Sequence, residues 1–326
     1  MAVTALPRDE LTVRLAETSD RAEIGALIAE MIPGCDVAAR LRWLYDANPA
    51  GRAVTWLAVT GSGEVAGCTS MFPFRLWLDG TPVRGALGGD GYVRPAFRRR
   101  GIGGLLHDAS RRDMPLHKLA CMYGAPGAMN VTPLKHGGSR ELGHVARWAR
   151  PLVLDRVLPV PGYGELEPMR PHDARVNAVW AEARRALKLA AVRDAAFYTW
   201  RFLEAPGGRE PAYVIMRQGQ PIGACALEPM HDGATLRIVD LIAVPRRWHA
   251  CLRAITRFAR ATTRARTIDI KLFGPDGRRR RMWLSGFLER ESKPFLCMLP
   301  LGGDRRLIDP DRWFYGGADS DLATLE

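Results

Sequence analysis

Residues 93–107 read Val-Arg-Pro-Ala-Phe-Arg-Arg-Arg-Gly-Ile-Gly-Gly-Leu-Leu-His, and this stretch decides how the rest of the chain is interpreted. Before it, the apolar run from Ala86 to Val93 predicts a strand that ends at a proline, a residue that interrupts sheet pairing. A basic turn with glycines follows. Leu105, Leu106 and Ala109 then lie at the spacing of one apolar helix face. The stretch therefore predicts a strand, a turn and a helix in direct succession.

The turn has the composition of an anion site. Its residues are Arg98, Arg99, Arg100, Gly101, Ile102, Gly103 and Gly104. The three glycines let a ligand approach the backbone closely, and the first amides of a helix have no partner within the helix. Those amides and the positive end of the helix dipole attract an anion, and the three arginines add charge suited to phosphate oxygens. We therefore predict that this turn binds a diphosphate.

Two other glycine motifs are excluded at this turn. The dinucleotide fingerprint G-x-G-x-x-G would need its third glycine at position 106, which is Leu106. A P-loop would need Lys followed by Ser or Thr, and that pair does not follow the glycines. What remains is a phosphate-binding loop of another kind, or an arginine-rich turn that only caps a helix.

The chain also contains an internal repeat. Residues 42–52 (RWLYDANPAGR) align with residues 199–209 (TWRFLEAPGGR), so that Trp, Pro, Gly and Arg coincide at a constant offset of 157. Further along, residues 90–95 (DGYVRP) match residues 240–245 (DLIAVP), 150 positions later. An ordered series of matches predicts two copies of one α/β unit, each ordered strand, helix, helix, hairpin, strand, helix, strand.

The boundaries of the two copies follow from composition. Residues 158–168 carry three prolines and two glycines, which is typical of a linker. We therefore expect a first domain over residues 1–157, a second over residues 158–301 and a C-terminal tail over residues 302–326. In the tail, the aromatic cluster at residues 313–315 is expected to dock on a domain surface and the last ten residues to fray.

The R-x-x-G-x-G turn, between its strand and its helix, resembles the coenzyme A loop of the GNAT acetyltransferase superfamily. The repeat around Trp43 and Trp200 further resembles a subgroup of tandem GNAT proteins, in which a degenerate second module follows a catalytic first one. This resemblance implies an α/β fold of two tandem GNAT-like modules, each a mixed central sheet flanked by helices. The equivalent loop in the second copy is residues 248–253 (WHACLR), which lacks both glycines. The resemblance therefore implies that only the first copy binds an acyl-CoA.

For the reaction, the resemblance implies direct transfer from an acyl thioester to an amine. Backbone amides near Tyr92 and Val93 would polarise the thioester carbonyl. Asp90 stands where many members of the superfamily carry an acid that deprotonates the amine. Asp240 occupies the same place in the second copy, so a purely structural carboxylate is the alternative for Asp90.

The proton donor to the departing thiolate is less clear from the sequence. The superfamily usually has a tyrosine on the helix after the fifth strand, and this sequence has Leu134 there. Tyr123 is the candidate substitute, and the alternatives are that Tyr123 is a core aromatic and that water is the acid. Asn130 is a candidate contact to the pantetheine arm, or else a residue that only caps a turn.

The resemblance thus implies an N-acyltransferase, most simply an N-acetyltransferase. Its co-substrate would be acetyl-CoA or another acyl-CoA, and its acceptor a small-molecule amine. Two alternatives stay open. One is an enzyme similar to N-acyl-amino-acid synthases, which takes its acyl group from acyl carrier protein and for which a basic surface suits an acidic partner. The other is a module that binds CoA thioesters without catalysis.

Composition excludes several other classes. The 326 residues are 47% hydrophobic and 25% charged, the balance of a folded protein. The net charge of +12 includes no long basic block with interleaved aromatics, so we expect no specific nucleic-acid partner. No apolar run approaches the roughly 20 residues of a membrane span. The six cysteines form no CxxC pair, so we expect no metal, reduced thiols and a cytoplasmic location.

Overall fold

The computed structural model describes residues 11–153, 164–208 and 210–320. We call residues 11–153 the first half and residues 164–320 the second half. The strands of the first half are β1 (Leu11–Leu15), β2 (Val54–Thr60), β3 (Val65–Leu78), β4 (Thr81–Val93), β5 (Met122–Gly124) and β6 (Arg140–Pro151). The strands of the second half are β7 (Glu165–Pro168), β8 (Leu189–Ala191), β9 (Ala212–Arg217), β10 (Gln220–Met230), β11 (Thr235–Ala243), β12 (Thr267–Phe273), β13 (Leu288–Met298) and β14 (Trp313–Gly316).

The helices follow the same order in the two halves. Those of the first half are α1 (Arg21–Met31), α2 (Val37–Arg40), α3 (Ile102–Asp113) and α4 (Ala128–His136). Those of the second half are α5 (Ala174–Ala183), α6 (Ala195–Tyr198), α7 (Trp248–Thr262) and α8 (Asp276–Leu284). None of the helices in the described ranges is long and apolar enough to cross a membrane.

All fourteen strands of the described residues belong to one sheet, and the two halves exchange a strand at its centre. The order is β1-β2-β3-β4-β5-β13-β6-β12-β11-β10-β9-β7, with β8 and β14 off this path. β6 comes from the first half but pairs with β12, and β13 comes from the second half but pairs with β5. Each half therefore completes the other's sheet.

This exchange changes the picture of two self-contained units. The predicted boundary between residues 157 and 158 lies outside the described residues. The two halves share most of their element order, although β8, between α5 and α6, has no counterpart between α1 and α2, and the sheet runs through both halves without a break. A core that runs across the β13–β6 pair, with Phe295 and Trp148 buried on these strands, joins the halves through apolar burial.

The repeated tryptophans explain why residues 42–52 and 199–209 resemble each other. Trp43 and Trp200 stack with their ring centroids 5.3 Å apart, and each indole N–H donates to the backbone carbonyl of the other residue, at 2.7 and 2.9 Å. Each tryptophan lies in a short π-helical turn, Leu41–Asp46 or Thr199–Leu203. The repeated motif is therefore a contact between the halves. A stacked aromatic pair of this kind contributes about 0.5–1.5 kcal/mol beyond the burial of its area.

The C-terminal tail is part of the core rather than an appendage on the surface. Trp313, Phe314 and Tyr315 form β14, which pairs with β12 and with β8, and all three side chains are buried. The expectation that the last ten residues fray was wrong for Ala318 and Asp319, which are also buried. Local composition gave no sign of this because the partners of the tail are distant in sequence.

Candidate functional site

The strands β4 and β5 run side by side for only two residue pairs. Ala86–Leu87 pairs with Met122–Tyr123, and beyond these positions the strands separate. Within the described residues, no strand pairs with Gly88–Val93 on the side that β5 leaves. Gly91 is exposed there. We call this opening the first groove. Its β4 wall presents extended backbone with hydrogen-bonding groups available to a ligand.

A β-bulge lies on the β4 wall of the first groove. Cys68 pairs with Tyr92 and Ser70 with Gly89, so Asp90 and Gly91 together stand opposite one residue of β3. The backbone of Asp90 has a φ of 45°. A bulge of this kind bends the strand and re-aims the groups that follow it, here the backbone of Tyr92 and Val93.

The predicted anion turn follows β4 after a short 3₁₀ turn at Pro95–Phe97 and leads directly into α3. Gly101 is the N-cap of α3, with a φ of 79°, and no side chain caps this end of the helix. A Cβ built on Gly103 or Gly104 would meet nothing within 4 Å. The first turn of α3 is therefore open at these two glycines, and its amides, which have no partner within the helix, favour an anion together with the helix dipole.

The three arginines of the turn are held differently. Arg98 donates from Nε to the carbonyl of Val93 at 3.0 Å, and its guanidinium lies 5.5 Å from the ring centroid of Tyr92. Arg99 is exposed and has a φ of 65°. Arg100 lies over the Phe97 ring, and its buried Nη1 has no hydrogen-bond partner in the described residues. The turn thus fixes Arg98 against β4 and leaves donors available on the other two.

The Asp90 carboxylate is buried and already accepts hydrogen bonds from other side chains. Arg40 donates to both of its carboxylate oxygens, from Nη2 at 2.6 Å and from Nε at 3.2 Å, and the hydroxyl of Tyr45 donates to Oδ2 at 2.8 Å. Burial, with the nearby Asp90 charge, raises the pKa of Tyr45 well above its usual value. The geometry is that of a structural ion pair that holds the bulge, which is the alternative the sequence left open for Asp90.

Tyr123 packs as a core aromatic. Its ring lies 5.0 Å from that of Trp313 and 6.2 Å from that of Phe74, and its side chain is buried. Its hydroxyl has no hydrogen-bond partner in the described residues, and burial raises its pKa well above the usual value. The structure therefore does not place this hydroxyl in the open part of the groove.

The helix α4 follows β5, the strand that separates from β4. Asn130 is exposed on its first turn, and the neighbouring Met129 is 91% exposed. Leu134, at the position where the resemblance implies a tyrosine, packs against the apolar cluster that contains Leu106. Asn130 is thus accessible from solvent, whereas Leu134 offers no acid.

The half-buried His107 is the titratable group between α3 and α4. A Cβ built on Gly137 would lie only 2.9 Å from the Cβ of His107, so the two helices are in close contact here. The Nδ1 of His107 is buried and has no hydrogen-bond partner in the described residues. Burial lowers the pKa of His107 below its usual value. The burial of His107 depends on the packing of two helices, so it has no local signal in the sequence.

The second half contains the counterpart of the first groove, but the tail fills it. β11 and β12 pair as far as Ile238 and Ile270, and β14 then takes the place beside β12 that β11 leaves. A Cβ built on Gly317 would lie 2.7 Å from the carbonyl oxygen of Val239 on β11. The tail therefore lies against both walls and closes this second groove. Phe314 also contacts Trp248, the first residue of α7, with ring centroids 6.5 Å apart.

Beneath the tail lies a buried charge cluster. Arg193 donates to Asp240 at 3.0 Å and to Asp319 of the tail at 2.6 Å, and the hydroxyl of Tyr198 donates to Asp240 at 2.9 Å. Burial raises the pKa of Asp319 above its usual value. In each half, the strand that borders the groove thus carries an aspartate, Asp90 on β4 or Asp240 on β11, that accepts hydrogen bonds from an arginine and a tyrosine. This correspondence supports the structural role of Asp90.

Comparisons with known proteins find a match in fold. No family model and no curated protein matches the sequence. A GCN5-related N-acetyltransferase from Anabaena variabilis ATCC 29413 superposes with a TM-score of 0.67 at 16% identity, over 88% of this chain and 72% of that one. A second, from Kribbella flavida, gives 0.65 at 18% identity, over 90% and 72%.

The N-myristoyltransferase of Saccharomyces cerevisiae, solved with bound myristoyl-CoA, gives a TM-score of 0.56 at 10% identity, over 90% of this chain and 84% of that one. Each of these proteins has the mixed α/β arrangement in which the first groove occurs here. The chain therefore has the fold of the GCN5-related N-acetyltransferases.

Proposed function

We propose that this protein is an N-acyltransferase that moves an acyl group from an acyl-CoA directly to an amine. In this proposal it is a tandem protein whose first half is catalytic and whose second half is degenerate. The observation that carries the proposal is the first groove, which is open and ends at the uncapped N-terminus of α3. An extended thioester with a diphosphate at one end matches an open strand edge that leads to an anion site.

The residues of the turn divide the binding of the donor among them. The amides of Ile102, Gly103 and Gly104 would bind diphosphate oxygens, and the absence of side chains at the two glycines leaves room for close approach. Arg99 and Arg100 would add charge-assisted hydrogen bonds. Asn130 of α4, the helix that follows β5, would contact the pantetheine arm.

The bulge on β4 would supply the electrostatic part of catalysis. The backbone amide of Val93, on the strand whose bulge the Arg40–Asp90 pair holds, would stabilise negative charge on the thioester oxygen as the amine attacks. The amide of Tyr92, also predicted for this role, faces Cys68 on β3 instead. In this proposal Asp90 holds the bulge and does not accept the amine proton. Activity of Asp90→Asn would then fall without loss of a titration from the acid limb of the pH–rate profile.

The experiment for the donor site is calorimetry with acetyl-CoA on the wild type and on Gly101→Glu. The variant places a long acidic side chain at the helix N-terminus, and we expect binding to fall beyond detection. Gly63→Glu is the matched control, because Gly63 also has a left-handed φ, of 87°, and open space around it but lies in the β2–β3 turn. Equal binding by Gly101→Glu and the control would overturn the assignment of the turn.

Turnover is tested separately from binding. Thiol release from acetyl-CoA is measured across a panel of amines, and an acylated product identifies an enzyme. Donor binding without product from any amine would instead favour a CoA-thioester-binding module. Turnover with acyl carrier protein as donor, but not with free acyl-CoA, would favour the carrier-dependent enzyme, for which the net charge of +12 suits an acidic partner.

A further inference from the structure

A cavity separate from the two grooves lies beside the first groove, on the strands that the two halves exchange. Its volume is about 150 Å³, and Ala125, which directly follows β5, is part of its wall. Lys293 of β13 lines it too, and β13 pairs with β5 where Leu296 meets Gly124. The tail closes the far side with Tyr315. The cavity therefore begins where β5 leaves β4, next to the place where the thioester would react.

The cavity is strongly cationic. Four basic side chains from four different strands line it: Arg147, Arg237, Lys271 and Lys293. One of the carboxylates that balance them is fixed, since Asp269 is 2% exposed and accepts from Arg147 and Arg237, each at 3.2 Å. Asp269 thus holds the two arginines in place. It does not line the cavity.

A second carboxylate of the cavity, Glu291, is exchangeable. Its side chain is 67% exposed and accepts hydrogen bonds from Arg147, one of them at 3.0 Å from Nη2. Those hydrogen bonds lower the pKa of Glu291, so it is a carboxylate near neutral pH. An exposed ion pair contributes little to stability, so Glu291 can turn into solvent at small cost and leave the Arg147 donors to a ligand anion.

We propose that this cavity binds an anionic group of the acceptor, so that the acceptor is an amine that also carries a carboxylate. The inference rests on the proposed function and names the substrate class of the same site. Lys271 and Lys293 attract the carboxylate, and Arg147 binds it in place of Glu291. The volume suits a small amino acid, whose amine then points past Ala125 towards the first groove.

The experiment compares pairs of amines that differ only in charge, such as β-alanine with its amide and glycine with glycinamide. We expect the wild type to prefer the carboxylates in kcat/KM. Lys271→Gln and Lys293→Gln should raise KM for the carboxylates about ten-fold or more while leaving KM for the amides unchanged. Lys188→Gln removes an equal charge from an exposed position outside the cavity and serves as the control.

Glu291→Gln gives the opposite result. Loss of the competing carboxylate should lower KM for β-alanine several-fold, an effect that a merely structural role for the Arg147–Glu291 pair would not produce. Equal use of amides and carboxylates by the wild type, with no change in the Lys variants, would overturn the inference while turnover itself supports the proposed function.

A binding experiment separates this inference from the proposed function. β-Alanine is titrated into the protein without any thioester and followed by ligand-observed NMR. Binding by the wild type that is lost in the Lys271→Gln, Lys293→Gln double variant supports the cavity even where no amine is acylated. Binding that is equal in the double variant and in Lys188→Gln overturns it.

Discussion

The two grooves of this sheet differ most clearly at one pair of equivalent positions. Gly91, on the β4 wall of the first groove, is exposed, whereas Leu241, 150 positions later on β11, is 1% exposed. The first groove is open to a ligand. The second is occupied by β14 and the turn that follows it, which pair with β12 and lie against β11. One arrangement of strands therefore serves as a candidate binding site in one half and as core in the other.

This difference shows how two halves with a similar arrangement of strands can differ in whether the groove is open. In the second half, the expectation of a loop at residues 248–253 was wrong: these residues form the start of α7, contain no glycine, and include the fully buried Cys251. The tail then provides hydrogen-bond partners to the strand edge that a ligand would otherwise use. Unpaired backbone groups are costly when buried, so a groove without a ligand is stabilised by a strand from the same chain.

The largest effect is expected from breaking the charge cluster beneath the tail. Arg193→Ala would leave Asp240 and Asp319 buried without their shared counter-ion. Loss of one partner from a buried ion pair costs about 3–5 kcal/mol in the free energy of unfolding. Urea denaturation measures this loss. Arg185→Ala, at an exposed arginine on the same half, is the control, and similar losses for both variants would contradict a buried cluster.

Removing the aromatic side chain that anchors the tail should cost almost as much. Trp313 is fully buried and donates to the carbonyl of Leu307 at 2.8 Å. Trp313→Ala should lower the free energy of unfolding by about 3 kcal/mol or more. Trp283→Ala is the matched control, because Trp283 is 58% exposed and should lose well under half as much. A tail that only docks loosely would give the two variants the same midpoint in urea.

A smaller and opposite pair of effects is expected at the α3 N-terminus. Gly103→Ala adds a methyl group in open space within a helix, so the protein should become more stable by about 0.5–1 kcal/mol. The same methyl group would stand where the diphosphate approaches, and the Kd for acetyl-CoA should rise. Thermal unfolding and calorimetry measure the two effects. An unchanged Kd would show that this open space is not part of the donor site.

The last effect is a dependence of stability on pH. The folded pKa of His107 is below its unfolded value of about 6.5, so the unfolded chain takes up the proton first as the pH falls. The stability contributed by neutral His107 is therefore complete above about pH 6.5 and is lost as the pH falls through the folded pKa.

In His107→Leu, the loss of stability between pH 7.5 and pH 5.5 should shrink, by at most about 1.4 kcal/mol because pH 5.5 is one unit below the unfolded pKa. Urea denaturation at the two pH values checks this. His136→Leu, an exposed histidine of α4, is the control and should behave as the wild type. A wild-type slope in His107→Leu would contradict the burial of the imidazole.

Local features of the candidate site could be predicted from the sequence. The strand, the turn and α3 lie where residues 86–113 predict them, since a proline, glycines and a helical spacing are local signals. The similarity of the segments around Trp43 and Trp200 was also visible, because a proline, a glycine and an arginine follow both tryptophans at the same spacing. Their mutual contact was not, because sequence similarity does not say that two copies touch each other.

The roles of single side chains were harder to predict. Asp90 is occupied by Arg40 and Tyr45, which approach from a different part of the chain, and Tyr123 is covered by Trp313 from the tail. Gly88, Gly89 and Gly91 in β4 are a sequence signal of close backbone approach at this strand edge. The cationic cavity had no such signal, since its basic residues come from four separate strands.

By itself, the sequence predicted a repeated order of α/β elements and a glycine turn at residues 98–104, and it showed that residues 248–253 lack those glycines. The tertiary structure alone decided that β6 and β13 exchange places, that the tail fills the second groove and that four cations meet beside the first. The physical reason is the range of the interactions. Dihedral preferences, capping and periodicity act between neighbours in the chain, whereas strand pairing and charge clusters depend on which distant segments the fold brings together.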